Sequence, residues 1–207
     1  MSPGTVQSPH LCGGQLKGTA FREFLLWYVD THPDRVHALR DAIAAMSEEE
    51  RAGLMLDPPD FGVLSSRWYP SEAIAVILDV VANGLSEDER DVLVRESTRA
   101  LARSMFRGIY RFVFRQVCTP GLYARHIGKL WGQLHNTGER SVVLRGARQA
   151  ESTVRNWSGH HPLLCELQVG TMAALFEEMG CEHVTIERVQ CVSRGDELCS
   201  YVVRWEK

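Results

Sequence analysis

The pattern of apolar and polar positions divides the chain into a helical first part and a second part that combines strands with one helix. Residues 1–15 are rich in Ser, Pro and Gly and lack apolar periodicity, which predicts a flexible leader. Apolar positions at helical spacing follow over residues 16–138, and capping boxes that begin at Ser47 and Ser86 mark two helix starts. We therefore expect a group of packed helices over residues 16–138.

From residue 139 onward the alternation is typical of β-strands. Four strands are predicted, over residues 141–144, 152–157, 184–192 and 198–205. Between the second and third strands, one face of a helix carries Cys165, Val169, Met172, Phe176 and Met179. The apolar parity changes near Glu187 and Arg188, which predicts a β-bulge there.

The predicted fold class is α+β. N-terminal helices (16–138) pack with a C-terminal β-β-α-β-β antiparallel sheet unit (139–207), and together they form a single domain over residues 16–207.

Three cysteines are predicted to meet where the helix covers the sheet. Cys191 and Cys199 flank the last turn and would lie opposite each other, with Cβ atoms about 5 Å apart. Cys165 heads the helix face that packs on the same surface. Three thiolates and one further ligand suit a tetrahedral zinc ion with no open position, which is a structural site. The candidates for the fourth ligand are Glu187, His160, His161 and His183.

The same positions also suit cysteines that only pack in a core, because cysteine is among the most frequently buried residues. Cys181 follows a helix that begins near Cys165 and would lie roughly 24 Å from it, so we interpret Cys181 as a buried thiol. A disulfide between Cys191 and Cys199 is disfavoured in a reducing compartment.

Composition and charge narrow the function classes. The 207 residues carry 23 Lys and Arg against 26 Asp and Glu, so a net charge of −3 gives no drive towards nucleic acid or acidic membranes. Arginines recur every four residues from Arg95 to Arg115, but such a row winds around a helix instead of forming a flat basic face. With no membrane span or signal peptide in the pattern, we expect a cytoplasmic protein that binds neither nucleic acid nor membranes.

Aromatic side chains offer a candidate pocket between helices and sheet. The residues expected to line it are Trp68, Tyr69, Tyr123, His126, Trp131 and Trp157, although aromatics at helical spacing also serve simply as core. No P-loop, Gly-x-Ser-x-Gly or His-Glu-x-x-His motif occurs, which makes an enzyme the less favoured class.

The C-terminal third resembles a known family. From Cys165 through a helix to Cys191-Val192-Ser193-Arg194-Gly195-Asp196-Glu197-Leu198-Cys199, the chain resembles the 4-vinyl-reductase-type ligand-binding domain, a relative of TRAPP and heme-nitric-oxide-binding-like folds. The resemblance implies that the three cysteines hold zinc and that the fold encloses an apolar cavity. Zinc-binding members carry a carboxylate three residues before the middle cysteine, where this chain has Arg188, so a bulge would be needed to bring Glu187 into its place. The Tyr-x-Ser-x-Arg signature of heme sensors is missing.

Almost the whole chain is also similar to a paralogous family of myxobacterial proteins with the same ending. The marks are Lys17-Gly18-Thr19-Ala20-Phe21-Arg22, Trp68-Tyr69-Pro70, Thr119-Pro120, Lys129-Leu130-Trp131, Thr137-Gly138 and Arg204-Trp205.

These resemblances imply a non-enzymatic regulatory module that binds a small hydrophobic or aromatic molecule, with zinc bracing the wall of the cavity. Binding would change contact with a partner protein or with a second copy in a homodimer. Two alternatives stay open at this point. One is a dimerisation module without ligand, and the other is an enzyme acting on a tetrapyrrole-like ring.

Overall fold

The computed structural model describes residues 13–105 and 117–206. Up to residue 105 it contains two short strands and five α-helices. These are β1 (Gln15–Lys17), α1 (Gly18–Thr31), α2 (Val36–Ala45), α3 (Glu48–Arg51), β2 (Trp68–Pro70), α4 (Ser71–Ala82) and α5 (Glu87–Met105).

The two capping boxes are present where the pattern places them. Ser47 accepts a hydrogen bond from the backbone N–H of Glu50, whose carboxylate accepts from the backbone N–H of Ser47. Ser86 and Glu89 pair in the same way at the start of α5. Each box satisfies backbone donors that would otherwise lack partners, which fixes where these helices begin.

A first hydrophobic core lies among the helices of this half. One stripe of α1 provides Phe21, Phe24, Leu25 and Tyr28, spaced by three, one and three residues, as a single buried helix face requires. Further buried side chains come from α2 and α4, from the segment between α3 and β2, and from Leu93 on α5 and Leu163 in the second half.

A small sheet at the start of the chain was not predicted. Strand β1 pairs antiparallel with β2, and Gln15 lies opposite Pro70. The carbonyl of Gly14 also accepts a hydrogen bond from the backbone N–H of Ser71. Residues 1–12 of the expected leader lie outside the described residues, while Gln15 already belongs to the folded domain.

The second half has the predicted β-β-α-β-β order. After α6 (Pro120–Leu134) come β3 (Glu139–Gly146), β4 (Gln149–Arg155), α7 (Pro162–Glu178), β5 (Glu182–Gln190) and β6 (Cys199–Glu206). The four strands form one antiparallel sheet in the order β3-β4-β6-β5. The α+β fold class is confirmed.

Helix α7 covers the sheet with the predicted face and closes a second hydrophobic core. Cys165, Met172 and Phe176 are buried against residues of β6 such as Tyr201 and Val203. The other side of α7 packs closely on α5, since a Cβ added at Gly170 would lie 2.8 Å from Thr98 Oγ1. This close approach joins the two halves and explains a glycine in mid-helix.

A bulge in β5 sets the register of the cysteines. The pairing of β5 with β6 shifts between Arg188 and Gln190, next to the predicted position. Gln190 then lies opposite Ser200, which brings Cys191 level with Cys199. No helix within the described ranges is long and apolar enough to cross a bilayer.

Candidate metal centre

Four side chains from three parts of the second half converge at one end of the sheet. Cys165 lies in the first turn of α7, and His160 lies two residues before the start of that helix. Cys191 directly follows β5, and Cys199 is the first residue of β6. The turn between them is held by Asp196, whose carboxylate accepts a hydrogen bond of 2.8 Å from the backbone N–H of Cys191.

The distances between the four potential ligand atoms match a tetrahedral ion. Cys165 Sγ lies 3.5 Å from Cys191 Sγ and 3.9 Å from Cys199 Sγ. The sulfurs of Cys191 and Cys199 are 3.9 Å apart, and His160 Nε2 is 3.8 Å from Cys191 Sγ. With Zn–S bonds of about 2.3 Å, tetrahedral angles place two sulfurs roughly 3.8 Å apart. All four ligand atoms lie within 4.8 Å of one another, so this His/Cys cluster could hold a metal ion.

Burial makes the cluster a closed site. The three cysteines are at most 1% exposed, and His160 is half-buried at the rim. Because four protein ligands complete a tetrahedron, no position remains for water or substrate. The arrangement is typical of a structural metal site and not of a catalytic one.

Hydrogen bonds from the surroundings support negative charge on the sulfurs. The Tyr201 hydroxyl lies 2.9 Å from Cys165 Sγ. The backbone N–H groups of Val192 and Ser193 act to lower the pKa values of the Cys199 and Cys191 thiols, respectively. Such outer contacts orient metal ligands and adjust their electron density.

In the metal-free cluster, the four side chains differ in how readily each one loses a proton. Hydrogen bonds from the Cys165 thiol and from His160 lower the pKa of Cys199 to about 3, against the effect of burial. Burial works to raise the pKa of Cys191, but hydrogen bonds from Ser193 bring it below its usual value. The pKa of Cys165 is raised by its hydrogen bond to Cys199 and by burial, and contact with Cys199 likewise raises the pKa of His160. Cys191 and Cys199 are therefore the thiols that lose a proton more readily, whereas Cys165 and His160 hold their protons more tightly and would release them to a binding metal ion.

Of the predicted ligands, Cys165, Cys191 and Cys199 come together, and His160 is the fourth-ligand candidate that joins them. Glu187 does not reach the cluster. Its exposed carboxylate pairs with Arg204 at 3.0 Å, because the bulge lies beyond Glu187 and leaves its side chain on the outer face.

The other two fourth-ligand candidates also point elsewhere. His161 Nε2 lies 3.1 Å from the Asp79 carboxylate on α4, and His183 is exposed near the start of β5. Cys181 is buried in the second core outside the cluster, as the sequence predicts.

The six residues expected to line a pocket are distributed over different parts of the structure. Tyr69 belongs to the first core, whereas Tyr123, Trp131 and Trp157 belong to the second. Trp68 lies at the edge of the domain, where Lys17 Nζ is 4.9 Å from the centroid of its ring.

His126 is exposed on α6, which corrects the expectation of an inward histidine. Leu130 on the same helix is also exposed, because the inward stripe of α6 passes through Tyr123, Ile127 and Trp131. Two surface clefts of about 400 and 500 Å³ occur on the described helices of the first half, and none of the six predicted residues lines either of them.

Two further buried polar side chains, His135 and Arg140, lie in the second half. His135 stacks on Trp131 with ring centroids 3.8 Å apart, and burial lowers the pKa of His135 to about 3. Arg140 is buried and donates to Ser152, Gln168 and Met172 Sδ. A buried arginine carries no sequence signal when it falls at an ordinary strand position.

The described arginines of the row that begins at Arg95 lie on the surface. Arg95, Arg99 and Arg103 are exposed on α5, and Arg99 pairs with Glu177 at 3.6 Å. The later members of the row, Arg107, Arg111 and Arg115, lie outside the described residues.

No protein-family model matches the chain, and no curated protein matches it in sequence. Solved structures do share its fold. An H-NOX protein from S. oneidensis in the Fe(II)NO ligation state has a TM-score of 0.62 at 14% identity, over 93% of this chain and 100% of that one. The Fe(II) unliganded H-NOX protein from K. algicida has a TM-score of 0.62 at 13% identity, over 93% and 97% of the two chains. A Cs H-NOX mutant reaches a TM-score of 0.64 at 10% identity, with the same coverage. The expected relation to heme-nitric-oxide-binding-like folds is thus confirmed at the level of the fold.

Proposed function

We propose that the chain is a non-enzymatic regulatory domain in which His160, Cys165, Cys191 and Cys199 hold a structural zinc ion. The observation that carries the zinc proposal is the approach of these four ligand atoms to within 4.8 Å of one another. Borderline-soft Zn²⁺ prefers thiolate and imidazole ligands, and three cysteines with one histidine is a common structural set. Free cysteines in such a site suit a reducing compartment such as the cytoplasm.

The proposed ion acts as a brace between elements that are distant in sequence. It ties the start of α7, through His160 and Cys165, to the end of β5 and the start of β6. Zinc supplies four strong bonds at a point where the sheet ends and backbone pairing stops. Because the ligands come together only in the folded chain, the free energy of zinc binding adds to that of folding.

One of the H-NOX structures that share this fold concerns heme distortion, which raises the question of whether the residues of this chain fit a heme. Heme iron needs a ligand that projects into an interior space. The buried histidine of the described residues is His135, whose ring stacks on Trp131 at 3.8 Å and contacts the Trp157 ring at 5.4 Å, which leaves no room for a porphyrin there. Outside the described residues, the side chains of types that ligate heme iron are Met1, His10, Cys12 and Tyr110. The surroundings of His135 do not fit a heme, and we propose none.

A small hydrophobic or aromatic ligand remains part of the proposal. Its support is the likeness of fold to H-NOX proteins in the Fe(II)NO and Fe(II) unliganded states, which shows that this architecture can bind small molecules. Binding would shift a two-state element of the domain and so change its contact with a partner protein.

The alternative is a dimerisation module without ligand, and exposed apolar side chains on the sheet edges favour it. Strand β3 is an edge strand that exposes 47% of Val143 and 42% of Leu144, and β5 at the other edge exposes 54% of Val189. Unpaired edges with apolar side chains are sites where a second chain can add to a sheet.

A native mass spectrum of protein purified without chelator tests these proposals together. We expect one zinc ion per chain, lost in Cys165→Ser and retained in the matched control Cys118→Ser, since Cys118 lies outside the cluster. An additional organic mass would identify the ligand, and a dimer without such a mass would favour the alternative.

Two results would overturn the zinc proposal. One is a wild-type protein that carries no metal and does not take up added zinc. The other is zinc that stays bound in Cys165→Ser. An absorbance spectrum of the same preparation checks the fit test for heme, because a strong Soret band would contradict it.

A further inference from the structure

Arg188 extends from β5 to the edge of the metal centre. Its Nη1 atom lies 3.9 Å from Cys191 Sγ, within reach of an N–H···S hydrogen bond. Its Nη2 atom lies 3.9 Å from Glu166 Oε1, and the side chain is only 24% exposed. One guanidinium therefore contacts both a sulfur of the cluster and a carboxylate beside it.

Glu166 lies between two arginines. It follows Cys165 on α7, and its Oε1 atom is also 3.9 Å from Arg90 Nη1 on α5. The carboxylate side chain is 20% exposed and that of Arg90 33%. The charges thus alternate in a row that runs from the Cys191 sulfur through Arg188 and Glu166 to Arg90.

This row balances the charge of the proposed zinc centre. Three thiolates and a neutral imidazole around Zn²⁺ leave a net charge of −1. Excess charge in a mostly buried site is costly unless an opposite charge lies next to it. Arg188 supplies that charge, Glu166 holds Arg188, and Arg90 in turn balances Glu166, so the whole group is neutral.

We propose that Arg188 is a positioning residue that tunes the coordinated Cys191 thiolate. Its positive charge and its N–H group draw electron density from the sulfur, while Glu166 and Arg90 hold the guanidinium in place. The sulfur becomes a weaker electron donor and a weaker nucleophile, which suits a site that braces the fold and does not react. This inference rests on the proposed zinc centre and adds to it a residue that is not a ligand.

Cobalt substitution gives a direct readout of the sulfur. Zn²⁺ has a filled d shell, whereas Co²⁺ in the same ligands shows sulfur-to-metal charge-transfer absorption. Without the nearby positive charge, the sulfur electrons lie higher in energy and less energy is needed to transfer one to the metal. We expect Arg188→Met to shift the charge-transfer band of the cobalt-loaded protein to longer wavelength.

Matched variants separate tuning from structure. Arg188→Lys keeps the charge and should leave the band between the wild-type and methionine positions. Arg204→Met removes an exposed arginine that pairs with Glu187 on the outer face, and the band should stay in place. Glu166→Gln removes the anchor of Arg188 and should give a smaller shift in the same direction, which keeps the proposal open to test if Arg188→Met does not fold.

An unchanged cobalt band in folded Arg188→Met would overturn the tuning role, even if that variant were less stable, because a purely structural ion pair affects stability alone. A wild-type cluster that takes up neither cobalt nor zinc would instead overturn the proposed zinc centre, and the tuning role with it.

Discussion

The two hydrophobic cores of this domain differ in what fills them. As far as it is described, the first core consists of aliphatic and aromatic side chains, and several are completely buried: Leu25, Tyr28, Leu39, Ile43, Phe61, Val63, Tyr69, Ile77 and Val81. The second core includes four buried cysteines and adjoins the buried polar groups His135 and Arg140. Three of these cysteines converge on one point.

This difference indicates how each half is stabilised. Burial of large apolar side chains stabilises the packing of the helices in the first half. In the second half, polar and ionisable groups take up interior space, and groups of that kind stabilise a fold only when they have partners. The proposed zinc ion is the partner that the cysteine cluster needs. The predictions below test the contrast, from the largest effect to the smallest.

The largest effect is expected from loss of a zinc ligand. In zinc-loaded protein, Cys191→Ser should lower the free energy of unfolding by more than about 5 kcal/mol, because zinc binding and folding are coupled. Chemical denaturation followed by circular dichroism measures this loss.

The control for that substitution is Cys181→Ser, since Cys181 is buried in the same core but lies outside the cluster. It should cost about 1 kcal/mol, as an ordinary core substitution does. Equal losses in the two variants would mean that the cluster contributes only packing.

The next effect belongs to the first core. Leu25 is completely buried on α1, so Leu25→Ala should cost about 2–5 kcal/mol through lost burial and the cavity left behind. The loss should be the same with zinc and with excess chelator if the stability of this core is independent of the metal. Denaturation curves under both conditions check this, and a loss that depends on chelator would show that the two cores are energetically coupled.

A smaller effect is expected from pH. Zinc needs all thiolates and a neutral imidazole, but hydrogen bonding with Cys199 raises the pKa values of Cys165 and His160 in the metal-free protein. Zinc must therefore displace protons, so its affinity should fall as pH falls, about tenfold per pH unit for each proton displaced. Calorimetric titrations in buffers with different ionisation enthalpies count these protons. An affinity that stays constant between about pH 6 and 8 would contradict this proton balance.

The elements of the fold were predictable where the local pattern is strong. The capping boxes at Ser47 and Ser86 and the single apolar face of α7 depend only on residues that are close together in the sequence, and the structure confirms them. The pairing of β1 with β2 was not predictable, because strands of three residues have too few positions to show alternation and depend on contacts between distant segments.

The candidate site was likewise predictable only in part. Spacing within the helix and across the last turn predicts that Cys165, Cys191 and Cys199 come together, as they do in the structure. The choice among four possible fourth ligands needed the position of the loop before α7, which no local pattern encodes. In the sequence, Arg188 stands out only because it occupies the position of a carboxylate in the 4-vinyl-reductase-type pattern. Its contact with Cys191 depends on the bulge that ends the regular pairing of β5.

The smallest effect is expected from substitution of Glu187, one of the four residues that the sequence suggests as the fourth zinc ligand. Its side chain is 63% exposed and pairs with Arg204 on the outer face of the sheet. Exposed ion pairs contribute little, so Glu187→Gln should change stability by less than about 1 kcal/mol and leave zinc binding unchanged. His160→Ala should weaken zinc binding strongly in the same competition assay with a chromogenic chelator, because it removes one of four ligands. If Glu187→Gln weakened binding and His160→Ala did not, the fourth ligand would come from the strand, as the resemblance alone implied, and the zinc-bound bulge of β5 would have to turn the carboxylate inward.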